Sequence, residues 1–301
     1  MSFINKALEK AKALHHQKVK PASSPHQEPP TVPLPDLDEI TGFGETPEEI
    51  HYTYTRRVGV EMNNLRRQRL AVYGSDKTLG EAYKLLRTHV LHRTKREGRN
   101  TLMVTGPLPN EGKTLTTINL GISISQKVGQ TVLLVDGDLR NPSIHRYLDL
   151  PSGPGLVDYL VSGYPISESL VHPEGLANLV ILPAGKGSID AVELLNSPLM
   201  VELVKELKHF YPDRYVLFDL PPLLYADSLA FAPLVDGIIL VVEAGRTPRE
   251  EIVHALEMPK EFSVLGFVLN KMDTASFSYD YYDKYYRDRN TPKKFQLPWR
   301  K

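Results

Sequence analysis

There is no cysteine among the 301 residues, which excludes a disulfide framework and thiolate chemistry and suits a reducing compartment. There is no net charge either: 36 basic residues balance 36 acidic ones, so the chain carries no overall electrostatic footprint for nucleic acid or for an anionic membrane. No apolar run approaches the ~18 residues that a membrane-spanning helix needs. The opening MSFINKALEKAKALHH lacks the continuous apolar core and the cleavage site of a signal peptide. The expectation is a soluble protein with no nucleic-acid partner. One stretch, SFSYDYYDKYYRDRN at 276–290, has no aliphatic residue at all, yet five of the fifteen tyrosines fall between Tyr279 and Tyr286.

What is present supports a real core, since 41% of the residues are hydrophobic. Phe3, Ile4, Ala7, Leu8, Ala11 and Leu14 recur at helical spacing opposite lysines, which predicts a short amphipathic helix over 1–18. Seven prolines between Pro21 and Pro47, with few periodic apolar residues, predict an extended and largely disordered linker over 19–75. Leu79, Tyr83, Leu86, Val90 and Leu91 lie on one helical stripe and lead into a core over 76–273. There, β-branched runs (TLMVTG, TVLLVD, LVILPAG, YVLFDLP, GIILVVEAG, LGFVLNK) alternate with helical patterns. Five or six apolar residues without two-residue alternation read as strands covered on both faces, so the fold class is α/β, a doubly wound and mostly parallel sheet flanked by helices. Residues 274–301 form a flexible tyrosine-rich tail, in which Tyr279, Tyr282 and Tyr286 share helical spacing but have no aliphatic partner to pack on.

In such sheets ligands bind at the carboxyl ends of the strands. GPLPNEGKTLTTINL at 106–120 follows the first long strand and opens a helix at Gly-Lys-Thr, the context of a P-loop. The strict spacing needs glycine at 107, where this chain has Pro107, with Gly106 one residue early. The functional end is intact: Pro109, Asn110, Glu111, Gly112 and Leu115 frame Lys113, which can reach outer phosphates, and Thr114, which can ligate Mg²⁺. VLLVDGDLRNP ends a second strand in Asp136 and Asp138, two residues apart and able to share a metal. Taken alone, Asp138 also reads as a helix cap before Asn141 and Pro142. A third strand, YVLFDLPPLL, ends in Asp219, in the form of a Walker B acid. Arg140 is placed either to reach phosphate or to cap the next helix. Asn270 to Asp273 match the N-K-x-D element that reads guanine in GTPases, although the other GTPase switch elements are not evident; Asn270 also suits a contact to either purine.

With these motifs, residues 78–286 resemble the bacterial tyrosine kinases, P-loop autokinases that regulate exopolysaccharide and capsule assembly. The resemblance implies Mg-ATP bound by Lys113, Thr114, Asp136, Asp138 and Asp219, and a non-specific protein-tyrosine kinase that phosphorylates Tyr279, Tyr281, Tyr282, Tyr285 and Tyr286 between subunits. It implies a homo-oligomeric ring built on an E-x-x-R-x-x-R helix, for which Glu81, Lys84 and Arg87 stand here. Lys84 keeps the charge but loses the bidentate fork. It further implies a membrane-bound chain-length-determinant partner as activator, a cognate phosphatase, and a cytoplasmic protein held peripherally at the inner face of the membrane. The opening stretch and proline linker are similar to the kinases of exosortase-associated exopolysaccharide loci. Partition and septum-site ATPases share the fold but carry a signature lysine five residues before the P-loop lysine, where this chain has Leu108.

Overall fold

The computed structural model describes residues 55–61, 65, 68, 70, 77–176, 178–209, 213–257 and 262–272. The expected N-terminal helix, most of the expected linker, Asp273 and all five tail tyrosines lie outside the described residues.

Eight strands form one sheet in the order β1-β4-β5-β3-β6-β2-β7-β8. They are β1 (Arg56–Val58), β2 (Thr101–Thr105), β3 (Thr131–Asp136), β4 (Val171–Pro173), β5 (Leu179–Leu182), β6 (Arg214–Asp219), β7 (Gly237–Glu243) and β8 (Val264–Asn270). The helices are α1 (Lys77–Thr94), α2 (Lys113–Ser125), α3 (Ile144–Tyr147), α4 (Leu156–Ser162), α5 (Ile166–Ser169), α6 (Ala191–Leu195), α7 (Pro198–His209), α8 (Ala226–Phe231) and α9 (Arg249–Glu257). Every pairing from β5 to β8 is parallel, and only the contact of β4 with β5 is antiparallel. Every residue of β2 is buried, as its unbroken apolar sequence requires of a central parallel strand.

Alternate strand residues feed two apolar layers. Leu102, Val104, Leu134, Leu217 and Val241 meet Val90 and Leu91 of α1 and Ile118, Leu120, Ile122 and Ile124 of α2. On the other face Met103, Leu133, Phe218 and Leu240 meet Leu203 and Val204 of α7, Phe231 of α8 and Ala255 of α9. Helix α2 is buried nearly all round because α1 covers its outer side: the Ser123 hydroxyl donates to the Tyr83 carbonyl over 3.2 Å, and Arg87 donates to the Ser123 carbonyl over 2.8 Å. That carbonyl is one of the last four of α2, which have no partner inside the helix, so Arg87 works as a C-terminal cap.

The stretch expected to be linker up to residue 75 needs correction. Residues 56–58 extend the sheet as β1, pairing with β4, and Leu65 and Leu70 are fully buried in the layer under α1. The linker composition is concentrated between Pro21 and Pro47, and the apolar residues beyond it are too far apart to show a period while still filling a core gap.

The sheet's two edges differ. β1 is three residues long and contributes Arg56 and Arg57; β8 is seven residues long and reads VLGFVLN, with neither charge nor proline. Among the described residues no helix is long and apolar enough to cross a membrane.

Leu70→Ala is expected to lower unfolding stability by ~2–5 kcal/mol, the usual cost of truncating a fully buried leucine. Denaturant titration checks this. An unchanged midpoint would return the segment before α1 to the linker.

Candidate functional site

β2 ends at Thr105, α2 begins at Lys113, and the loop between them holds two residues with positive φ, Asn110 at 65° and Gly112 at 92°. Gly106 is needed for a different reason. A Cβ there would collide with the Val241 carbonyl of β7 and with the Glu111 carboxylate. The glycine missing from position 107 is therefore supplied one residue earlier, where the loop passes closest to its neighbour.

Lys113 opens α2, is buried, and donates from Nζ to the Leu108 carbonyl over 2.7 Å, folding back along its own loop. Burial lowers its pKa, against the pull of Glu111, Asp219 and Asp138. The Leu108 position thus contributes a backbone acceptor for Lys113, where the partition-type ATPases carry their signature lysine.

The strand register brings the acids together. Asp136 of β3 and Asp219 of β6 are direct neighbours across the sheet, so both carboxylates rise on the α2 face, at 0% and 1% exposure. Asp136 Oδ2 accepts the Ser143 and Ile144 backbone amides over 2.9 and 3.0 Å, and Asp219 Oδ1 accepts the Thr117 hydroxyl over 3.2 Å. The other oxygens, Asp136 Oδ1 and Asp219 Oδ2, are buried with no partner among the described residues. Burial pushes Asp136 up to about 7. Burial and then the Asp136 charge push Asp219 well above the carboxylate range. Two buried acids with two orphan oxygens, beside the Thr114 hydroxyl, are what a divalent cation would satisfy, and these residues fit Mg²⁺ together with phosphate oxygens and water. Thr114 meets Ser143 hydroxyl to hydroxyl at 3.1 Å.

Asp138 is half-buried and accepts the Asn141 amide over 3.0 Å, the capping geometry, while burial raises its pKa. Arg140 is committed elsewhere: its guanidinium forks onto buried Asp227 of α8 at 2.7 and 3.1 Å. Glu111 is a finding that spacing could not give. Its side chain is 1% exposed and points into the loop, Oε2 accepting the Leu108 amide over 2.8 Å and Oε1 the Thr247 hydroxyl over 2.6 Å. Pro109 and Leu115 flank the loop on either side of this brace. Asn270 donates to the Glu111 carbonyl over 2.8 Å, and Lys271 bridges the Asn110 carbonyl at 2.6 Å and Glu243 at 2.9 Å. The first two residues of the N-K-x-D match therefore clamp the loop's backbone. Sequence reasoning missed Thr117, Ser143, Glu243 and Thr247, and read Lys271 only as part of the N-K-x-D match. Thr117, three residues after Thr114 on a helix, carried the only readable signal.

Glu81 and Lys84 pair with each other over 2.8 Å on the exposed face of α1, whereas Arg87 is half-buried and spent on α2. The expected three-residue contact thus splits into an exposed pair and an internal cap.

No protein-family model matches the chain. It is 32% identical over 206 residues to the tyrosine-protein kinase YwqD of Bacillus subtilis (strain 168), an alignment covering 67% of this chain and 85% of that protein. It is 31% identical over 263 residues, 86% of its length, to EpsB of Ralstonia solanacearum, but spans only 32% of that longer protein. Among solved structures, the VpsO kinase domain superposes with a TM-score of 0.58 at 29% identity, covering 66% of this chain and 98% of that one.

The buried acid pair generates a test with a definite sign. The carboxyl of Asp136 titrates ordinarily near 3.8 and in the fold near 7, so the folded chain holds protons that the unfolded chain has released. This contribution to stability is complete below pH ~4 and fades as the pH rises towards ~7. Asp219→Asn removes one of the two buried acids. Its cation-free stability should fall less over that interval than the parent's, and it should lose the ~2.7 kcal/mol of stabilisation expected from Mg²⁺ and nucleotide at a hundredfold excess over Kd. Thermal melts at pH 4.5 and 7.5, with and without Mg-ATP, check both. An undiminished Mg-ATP shift in the variant would remove Asp219 from the metal site.

Proposed function

Since the chain belongs to the bacterial tyrosine-protein kinases, we propose that it transfers the γ-phosphoryl group of ATP to tyrosines of its own C-terminal cluster and, through that modification, regulates exopolysaccharide synthesis and export. The observation that carries the reading is the meeting of a phosphate-loop lysine with two adjacent buried carboxylates whose outer oxygens are unpaired.

Phosphoryl transfer asks a protein for position and charge rather than covalent chemistry. The backbone amides at the start of α2 cradle the phosphates, and Lys113 exchanges the Leu108 carbonyl for phosphate oxygens, bringing its cation to the transferred group. A bound Mg²⁺ would neutralise charge building on the β and γ phosphates. Asp136 and Asp219 would supply its anionic ligands, directly or through water, and Thr114 would supply a hydroxyl. Asp138 takes the phenolic proton: its half-burial raises its affinity for that proton, and it lies beside the site without being committed to the metal. Asn270, with its amide spent on the loop, contributes from the rim to nucleotide binding.

The acceptors are Tyr279, Tyr281, Tyr282, Tyr285 and Tyr286, presented to a neighbouring subunit in a homo-oligomeric ring. Glu81 and Lys84 are free to exchange their mutual pairing for contacts across that interface. Arg87 contributes indirectly, by holding α1 against α2. A membrane-bound chain-length-determinant partner would recruit the chain to the inner face of the membrane and activate it, and a cognate phosphatase would reset the tail. Residues 1–18 are the segment suited to that recruitment.

Lys113→Met should abolish phosphotyrosine in protein made without host kinases, with the thermal midpoint held within a few degrees. Changing all five tail tyrosines to Phe should remove the label while leaving nucleotide binding intact. Intact-protein mass spectrometry with ATP, and with GTP as control, decides. Label persisting in Lys113→Met, or nucleotide hydrolysis without phosphotyrosine in the parent chain, overturns the reading.

A further inference from the structure

An unpaired strand edge is a template for another strand, and proteins blunt their edges with shortness, charge, proline or a covering segment. β1 follows that rule, with three residues and two arginines. β8 does not. The carbonyl of its last residue, Asn270, accepts the Ala244 amide beyond β7 over 2.9 Å. By the two-residue period of a strand, the backbone groups of Val268 and Gly266 face β7 as well, and those of Leu265, Phe267 and Leu269 face outward. Arg93 of α1 donates to the Leu265 carbonyl and so closes the lower end of this edge. Phe267 and Leu269 have no such partner among the described residues, and their side chains are 45% and 54% exposed. Phe267 stands beside Leu240 and Leu269 beside Val242, so both side chains lie on the sheet face whose core includes Leu240. The result is an open edge bordered by an apolar strip.

We propose that this edge is the docking strand for the chain's own segment Phe277–Tyr281, which adds antiparallel to β8 and withholds its tyrosines from any active site until it is released. The chain leaves β8 through Lys271, whose φ of 56° is a left-handed turn at the strand's end, so reversal begins at once. In FSYDY, Phe277, Tyr279 and Tyr281 alternate with Ser278 and Asp280, the period of a half-covered strand. Residues 270–276 make the connection, which sets Phe277 opposite Leu269 and Tyr279 opposite Phe267, the two open positions of β8, and runs Tyr281 on towards the end that Arg93 closes. Antiparallel addition sets the three aromatic rings beside Leu269 and Phe267, the cross-strand pairs that stabilise sheets best, and turns Asp280 to the opposite face, where Arg93 lies. The tether holds the segment at a local concentration on the order of millimolar. A second copy's β8, with no charge to complement and no tether, competes poorly.

The docked segment acts as a latch. A phosphate on Tyr279 or Tyr281 adds ~1.5 to 2 negative charges to an apolar strip, so docking opposes modification and modification prevents re-docking. Only this clause rests on the kinase reading above.

The test is residue-resolved amide exchange on the full-length Lys113→Met chain, which keeps the tail unmodified. The outward amides of Phe267 and Leu269 should exchange as slowly as the inward amides of Gly266 and Val268. Adding Phe277→Asp should speed the two outward amides at least about tenfold and leave the inward pair unchanged, and Leu269→Glu should speed the amides of 277–281 likewise. Outward amides that already exchange fast, or that ignore Phe277→Asp, overturn the docking. Protection that disappears on dilution assigns the edge to a second copy and overturns it too. In the chain with Lys113 intact, Phe277→Asp should raise the initial rate of tyrosine labelling at least about threefold, and an equal rate overturns the latch. If neither chain labels, the kinase reading fails while the exchange pattern still decides the docking.

Discussion

The site depends on the register of β3 against β6. Because Asp136 and Asp219 are direct neighbours across the sheet, two carboxyl groups are forced into one water-poor space on the α2 side, where burial and mutual repulsion oppose their ionising together. Nothing within either strand relieves that conflict, since the backbone amides at residues 143 and 144 and the Thr117 hydroxyl satisfy only one oxygen of each carboxylate. A slip of one residue would turn one acid to the other face and dissolve the pair. The apolar strand faces fix that register, so the packing that makes the sheet also makes the electrostatic demand that a cation answers.

The phosphate loop is shaped from the side as much as from its own sequence. Glu111 fills the loop's interior with a carboxylate whose two oxygens are both bonded. From the ends of β7 and β8, Thr247, Asn270 and Lys271 hold Glu111 and the Asn110 and Glu111 carbonyls. A Cβ at Gly112 would run into the Asn270 amide. The glycine therefore answers to a strand some 160 residues further along the chain as well as to its own φ.

The parallel sheet, its strand-end acids and the helix opening at Lys113 were legible because each is written locally: an apolar run, then a turn, then a charged residue. The brace from β7 and β8 was not, since Thr247 carries no periodic or spacing signal, and the N-K-x-D match pointed Asn270 and Lys271 at a purine rather than at the loop carbonyls they hold once β7 and β8 stand beside β2. β1 escaped for a similar reason, being three residues next to a proline-rich stretch. Arg87 shows a different limit. Spacing placed it on the correct helix, but spacing cannot tell an outward guanidinium from one that turns inward to cap the next helix.

The contrast between the sheet's edges also bears on self-association. If β8 were to meet a strand of another molecule, that molecule could not offer β1 in return, because Arg56 and Arg57 on so short a strand make a poor acceptor. Head-to-tail growth is terminated at its first step, and any strand-mediated assembly must be a closed pair, β8 against β8 about a two-fold axis. A chain with one adhesive end and one inert end cannot polymerise through its sheet, so it can keep a long uncharged strand at its rim without becoming the seed of a fibre.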